Sequence, residues 1–215
     1  MENTLGLLND EKRLKKELIF ASLFVMAYES FVSNWKENIL GFFANSHGFH
    51  DGKVISSFCK PTTDSKGNMV FIPDKKAETV YRKRVYQRIK KTDGNNDTDL
   101  SMFDFMVEFG LIDKNDYKHL IDIRKIRNLY SHELVNVLFD KPPANTRELF
   151  SELIRIRKKA SEFWIREVEI PTSPDEEWQF NEQGKFVDPE WVASTQDLFF
   201  DVIITNAMKE NDESK

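Results

Sequence analysis

Apolar residues recur at helical spacing along most of the chain, and this pattern predicts a helical protein. The first such stretch runs from about Asp10 to Ala44, where Phe24, Phe31 and Phe43 broaden the apolar stripe. We therefore expect a long first helix that is buried on most of its circumference. Glu29 lies in its apolar middle. It is either a buried carboxylate that faces a cleft or, the interpretation we favour, part of one wet stripe.

Capping residues and helix breakers divide the rest of the chain into further helices. Residues 45–75 are rich in Gly, Pro, Asp, Asn and Ser, so they are predicted to be irregular with one short strand, Met69 to Ile72. Residues 171–187 are predicted to form a loop or small hairpin. The later helices are expected at Lys76 to Lys91, Ser101 to Gly110, Asp113 to about Phe139 and Asn145 to Trp164, with a last one from Asp188.

The composition favours one all-α domain over residues 1–215, with 45–100 as an insertion and 171–215 as a C-terminal extension. The chain has only 8 Gly and 7 Pro, fewer turn residues than a sandwich of many short strands needs. Its single cysteine, Cys59, excludes a disulfide framework and a thiolate-rich zinc site. A cytoplasmic location is expected, because we find no signal peptide and the apolar run from Leu18 to Tyr28 is too short to cross a membrane.

One segment near the middle of the chain combines side chains suited to phosphate chemistry. Asn128 and His132 are four residues apart and share a helix face, which Arg124 extends one turn earlier. Arg127 is displaced around the helix, but its long side chain can reach the same cleft. A guanidinium binds phosphate oxygens, and an imidazole can transfer protons at neutral pH. Ser131 is a candidate for substrate contact, whereas Tyr130 fits the apolar core.

These residues resemble the R-x4-6-H signature of HEPN domains. Arg127, the polar Asn128 and His132 form the motif, with four residues between Arg and His. Residues 109–113 and 120–128, with Tyr117, resemble in particular the mannitol operon repressor-like branch of that superfamily. The resemblance covers about a tenth of the chain. It implies an antiparallel helix bundle that dimerises.

In active families, the resemblance further implies a composite, metal-independent ribonuclease site at the dimer interface, with no cofactor. We therefore assign catalytic roles to Arg127, Asn128 and His132 and expect RNA as substrate, as in bacterial toxins or antiviral effectors. Two alternatives remain: a non-catalytic HEPN-like transcriptional regulator that acts through protein partners, and a helical half of a toxin–antitoxin pair whose partner is encoded by a neighbouring gene.

Other polar clusters carry weaker hypotheses. The basic run with Arg82, Arg84 and Arg88 could hold an RNA backbone, although a charge run is more often a solvated helix face. Residues 155–159 form a similar, weaker basic run. His47 and His50 with Asp51 only loosely suggest a metal site, so we expect no bound metal. The net charge of −5 means that any RNA-binding surface must be local.

Overall fold

The computed structural model describes residues 11–50, 53–140, 143–172, 198 and 200–204. They are mainly helical, as the sequence predicts, but two small β-sheets interrupt the helices. The helices are α1 (Glu11–Phe43), α2 (Lys75–Val85), α3 (Thr98–Phe109), α4 (Lys114–His132), α5 (Leu134–Asp140), α6 (Thr146–Trp164), a π-helical turn (Ile165–Glu169) and α7 (Ile170–Thr172). The strands are β1 (Ser46–His50), β2 (Lys53–Ser57), β3 (Cys59–Thr63) and β4 (Met69–Pro73).

The middle region forms two antiparallel hairpins rather than the irregular segment that the sequence predicts. Strand β1 pairs with β2, and β3 pairs with β4 so that Pro61 lies opposite Phe71. The predicted short strand from Met69 to Ile72 corresponds to β4. Strand β3 was missed because four of its five side chains are exposed. Such strands lack the alternation of apolar and polar residues that identifies a half-buried strand.

The chain divides into two compact units, residues 1–29 with 109–215 and residues 30–108. The proposed insertion, residues 45–100, lies inside the second unit. Helix α1 contributes residues to both units. Its predicted apolar stripe is buried: Phe24, Phe31 and Trp35 are each at most 1% exposed. In the first unit Phe24 packs against Phe150, and in the second Phe31 packs against Phe103.

In the second unit, α2 ends at Val85, earlier than predicted, because a residue that follows it forms a hydrogen bond from its backbone N–H to α3 instead of continuing the helix. The N–H of Ile89 donates to Oγ of Ser101 over 2.9 Å. Ser101 is buried within α3, so this helix begins at Thr98 and not at Ser101 as the sequence predicts. Asp97 accepts the N–H of Leu100 at the start of that helix.

In the first unit, α4 begins at the predicted cap but ends earlier than predicted. Asp113 and Asp116 form a reciprocal capping box, and Gly110 separates α3 from this cap at a φ of 90°. The predicted single helix to about Phe139 is broken at Glu133, which has φ −131° and ψ 26°. His132 is consequently the last residue of α4, and α5 is a separate helix.

The C-terminal predictions are only partly covered by the described residues. Helix α6 matches the prediction, although its N-cap Asn145 makes no side-chain capping bond. The expected start of the last helix at Asp188 lies outside the described residues, whereas Leu198 and residues 200–204 are helical. By length and composition, α1 alone among the described helices could cross a membrane. A buried core helix passes the same test, and 44% of the relevant window of α1 is buried.

Candidate functional site

The final turns of α4 carry the whole motif. The helix continues without a break to His132, so Asn128 and His132 share one face, and Arg124 lies on that face one turn earlier. Arg124 and Arg127 are half-buried, whereas Asn128, Ser131 and His132 are exposed. The motif therefore lies where a large substrate can reach it.

Arg127 is held in place by residues of α1 and by its own neighbour. Its Nε donates to Oε1 of Glu29, and its Nη2 forms an ion pair with the same oxygen. Its Nη1 donates to Oδ1 of Asn128 over 2.9 Å. The guanidinium carbon lies 5.7 Å from the ring centre of Tyr28, a cation–π contact with a buried aromatic. A side chain with these partners presents its guanidinium in a defined direction.

Glu29 combines features of both interpretations made from the sequence. Its side chain is 46% exposed, so it does lie on a wet stripe of α1, yet it is also the carboxylate partner of Arg127. Glu29 and Arg127 are 98 positions apart in the chain. No local sequence pattern predicts a pair so far apart in the chain. Glu29 is the residue that the structure adds to the predicted site.

A guanidinium has five N–H donors, and the contacts with Glu29 and Asn128 use three of them. Two donors thus remain for a phosphate without displacing either partner. The Glu29 carboxylate also compensates the positive charge of Arg127. The site therefore offers directed hydrogen bonds more than net positive charge.

His132 stands apart from the Arg127 cluster. It is exposed at the C-terminal end of α4, and it has no hydrogen bond or ion pair with any residue that the structure describes. The structure gives no hydrogen bond between His132 and Arg127.

The residues beneath the motif are structural. Tyr130 is 5% exposed, and its ring packs edge-on against Phe24 at 5.6 Å. Burial, together with the nearby Glu17 carboxylate, raises the pKa of Tyr130 to about 12. This supports the interpretation of Tyr130 as a core residue that fixes the last turns of α4 against α1.

The three arginines of the predicted RNA-binding run are largely engaged within the second unit. Arg88 forms ion pairs with Asp104 and Glu108, both at 2.6 Å. Arg82 pairs with Glu78 at 2.8 Å. Arg84 approaches Glu108 only to 4.0 Å. Of the three, Arg84 is the one best able to reach a ligand.

The second basic run, residues 155–159, stabilises the first unit. Arg155 and Lys159 form ion pairs with Asp116, whose side chain is 1% exposed. Arg157 is buried and donates to the carbonyl oxygen of Ala27 over 3.2 Å. Burial would raise the pKa of Asp116, but its hydrogen bonds from the Asp113 N–H, Lys159 and Arg155 lower it. Arg155, Arg157 and Lys159 therefore form ion pairs or hydrogen bonds within the first unit, which does not favour a role in binding RNA.

The weak metal hypothesis gains no support from the described residues, which contain no group of three or more His, Cys, Asp or Glu side chains placed to hold a metal. His47 Nδ1 lies 3.1 Å from Ser56 Oγ, and Asp51 lies outside the described residues. Cys59 is a single thiol whose Sγ lies 3.6 Å from Ser57 Oγ.

Comparison with known proteins gives no relative for this arrangement. No family model, no curated protein and no solved structure matches the chain. A function must therefore be inferred from the residues of the site themselves.

Proposed function

We propose that this chain is a metal-independent endoribonuclease with a HEPN-like helix bundle, and that Arg127, Asn128 and His132 form its active site. One observation carries the proposal: Arg127 is oriented by Glu29 and Asn128, while His132 is exposed at the end of the same helix. The mainly helical fold and the order of the motif residues support it. A bacterial toxin or antiviral effector would use such an activity.

The proposed reaction needs neither a cofactor nor a nucleophile from the protein. The 2′ oxygen of RNA forms a bond to phosphorus while the bond from phosphorus to the 5′ oxygen breaks, giving a 2′,3′-cyclic phosphate and a 5′-hydroxyl. His132 accepts the 2′-hydroxyl proton, and His132 of a second copy donates a proton to the 5′ oxygen. Arg127 donates hydrogen bonds to the phosphate oxygens as their charge increases.

Two copies of the chain are part of this proposal, because one imidazole cannot serve as base and acid at once. The single His132 of each motif, without a proton-transfer partner among the described residues of its own copy, supports a composite site in a homodimer. We further propose that the protein acts in the cytoplasm, away from membranes. An antitoxin or a regulatory protein would then keep it inactive.

The test is to incubate purified wild-type protein with total RNA in EDTA and to identify the new ends. We expect 2′,3′-cyclic phosphate ends from the wild type. His132→Ala and Arg127→Ala should each lower the rate by a factor of about 100 or more, as expected when a proton-transfer group or a charge-stabilising donor is lost.

Matched controls separate the site from general effects of the substitutions. His47→Ala and Arg166→Ala remove the same side-chain types at other positions and should leave cleavage unchanged. Helicity and the dimer mass should also be unchanged in all four variants. Full cleavage by both motif variants would contradict the site assignment.

A second function is favoured by the Glu29 pair, which compensates the charge of Arg127. A HEPN-like transcriptional regulator that acts through protein partners would need no exposed cation in the motif. If the dimer forms but cuts no RNA in EDTA or with added divalent metal, this regulator becomes the better proposal.

A further inference from the structure

The second unit contains a groove of about 390 Å³ that the proposed active site does not use. Its apolar lining consists of three aromatic residues, Phe43, Phe58 and Tyr81, with Ala77 and the exposed Val80. Its charged lining residues are Lys76, Arg84 and Asp74. The ring of Tyr81 lies 5.2 Å from that of Phe58 and 5.6 Å from that of Phe43. We call these eight residues the aromatic groove. Its volume falls within the range of about 300–1,000 Å³ typical of small-molecule sites.

The segment that forms most of this groove carries a charge opposite to that of the whole chain. Residues 53–91 contain eleven Lys and Arg and three Asp and Glu, a net charge of +8 in a chain with −5. Two of the three carboxylates are committed locally: Asp74 caps α2 by accepting the N–H groups of Lys76 and Ala77, and Glu78 pairs with Arg82. The carboxylates of the segment therefore balance only a small part of its positive charge.

Two lysines on the surface of α2 are available for a ligand. Lys76 and Lys83 are exposed, and neither has an ion pair with any residue in the described ranges. Lys76 lines the groove, whereas Lys83 lies outside its lining, about two turns further along the same side of α2. Arg84 lies with its guanidinium carbon 5.4 Å from the ring centre of Phe43. Cations and aromatic surface thus occur together.

A second cavity of about 510 Å³ in the same unit also has aromatic lining residues, Phe58, Tyr81 and Tyr86, but as many carboxylates as cations. It is lined by charges of both signs, among them Lys36, Glu37 and Glu78. Lys36 is paired with Asp99 at 3.0 Å. The aromatic groove is therefore the better site for an anion with flat rings.

We propose that the aromatic groove binds single-stranded RNA, with an unstacked base among the three rings and phosphates on Lys76 and Arg84, while the strand continues along α2 to a phosphate contact with Lys83. Aromatic stacking combined with a basic surface is the usual chemistry of single-strand binding, whereas a duplex keeps its bases stacked and out of such a groove. An anionic membrane would use the lysines but would leave the rings without a role. The inference rests on the proposed ribonuclease function and names single-stranded RNA as the substrate class.

The test measures binding of a fluorescein-labelled RNA of about 12 nucleotides, a typical site length for single strands, to full-length His132→Ala protein, so that cleavage does not interfere. Lys76→Ala with Lys83→Ala should raise Kd by a factor of about 10 and reduce the salt dependence of log Kd by about 1.4, as loss of two phosphate contacts predicts. The matched pair Lys118→Ala with Lys158→Ala, also exposed lysines, should change Kd by less than about 2-fold.

An abasic strand of equal length and charge tests the rings without altering the protein. It should bind at least about 5-fold more weakly than the RNA, because stacking of one base contributes at least about 1 kcal/mol. The inference is overturned by equal effects of the two lysine pairs, by equal affinity for the abasic strand, or by a preference for duplex RNA or for phosphatidylserine vesicles.

The outcomes distinguish this inference from the proposed function. Groove-dependent binding without any cleavage by the wild type would reject the ribonuclease and retain the RNA-binding groove. Cleavage with an unchanged KM in the Lys76→Ala, Lys83→Ala protein would retain the ribonuclease and reject the groove.

Discussion

At the scale of the residue, the main finding is how Arg127 is constrained. Its side chain is 28% exposed, and its guanidinium forms an ion pair with Glu29, a hydrogen bond with Asn128 and a cation–π contact with Tyr28. An arginine with this many partners loses little freedom when it binds a phosphate, so its hydrogen bonds are directed before the substrate arrives. Glu29 is accordingly a positioning residue in the proposed mechanism.

Substitutions of Glu29 test this role. Glu29→Ala should lower kcat by a factor of about 10, because Arg127 loses its anchor and a misplaced donor stabilises the transition state less well. Glu29→Gln keeps an acceptor and should stay within about 3-fold of wild type. Single-turnover cleavage of a short RNA measures both. An identical loss of activity in the two variants would show that the carboxylate acts through its charge rather than through orientation.

At the scale of the element, the ends of the helices fix where the motif stands. Gly110 ends the α3 segment at a φ of 90°, and the capping box of Asp113 and Asp116 starts α4. The break at Glu133 then makes His132 the last helical residue. Without that break, His132 would lie within a longer helix instead of at an exposed end.

Gly110→Ala tests the first of these helix ends. An added Cβ would meet only the ring of Phe163, at 3.5 Å, which is ordinary contact. The expected cost comes from the backbone, since a positive φ is unfavourable for any residue with a Cβ by about 1–2 kcal/mol. Urea denaturation should show this loss. Gly48→Ala, where no atom lies within 4 Å of the added Cβ, should change the stability much less.

At the scale of the whole molecule, charge is distributed unevenly along an acidic chain. The basic segment of residues 53–91 belongs to the second unit, whereas the candidate catalytic residues belong to the first. The first unit also contains the ion pairs of Asp116 with Arg155 and Lys159. The lysines proposed to bind RNA can therefore be substituted without removing the ion pairs of Asp116.

The carboxylates of the first unit predict an acid-sensitive fold. Hydrogen bonds and ion pairs lower the pKa of Asp113, and for Asp116 they outweigh the opposing effect of burial. A pKa below the unfolded value of 3.8 adds stability that is fully present above that pH and is lost as the pH falls below it. The free energy of unfolding should therefore fall steeply below about pH 4.

Asp116→Asn identifies the group responsible. Because it breaks a buried ion pair, the variant should lose about 3 kcal/mol at neutral pH. Its difference from wild type should shrink as the pH falls, since the wild-type carboxylate then becomes protonated. Urea denaturation at a series of pH values measures this. A constant difference at every pH would contradict the assignment. Asp122→Asn, which alters the exposed pair with Lys125, serves as the control.

The sequence by itself determined the features that depend on neighbouring residues. The apolar stripe of α1, the cap at Asp113, the turn at Gly110 and the shared face of Asn128 and His132 all follow from side chains within one or two helical turns. Helical geometry fixes these relations whatever the rest of the fold does. The motif itself was visible for the same reason.

The tertiary structure decided which distant faces meet. It paired Glu29 with Arg127 and Arg88 with Asp104 and Glu108. It also gave Arg157 a buried position with a backbone acceptor at Ala27. The fate of a charged side chain depends on the partner that packing brings to it, and that partner has no fixed spacing in the chain. The sequence therefore identifies the cationic residues. Only the fold shows which of them are used in ion pairs and hydrogen bonds within the protein and which are free to bind a ligand.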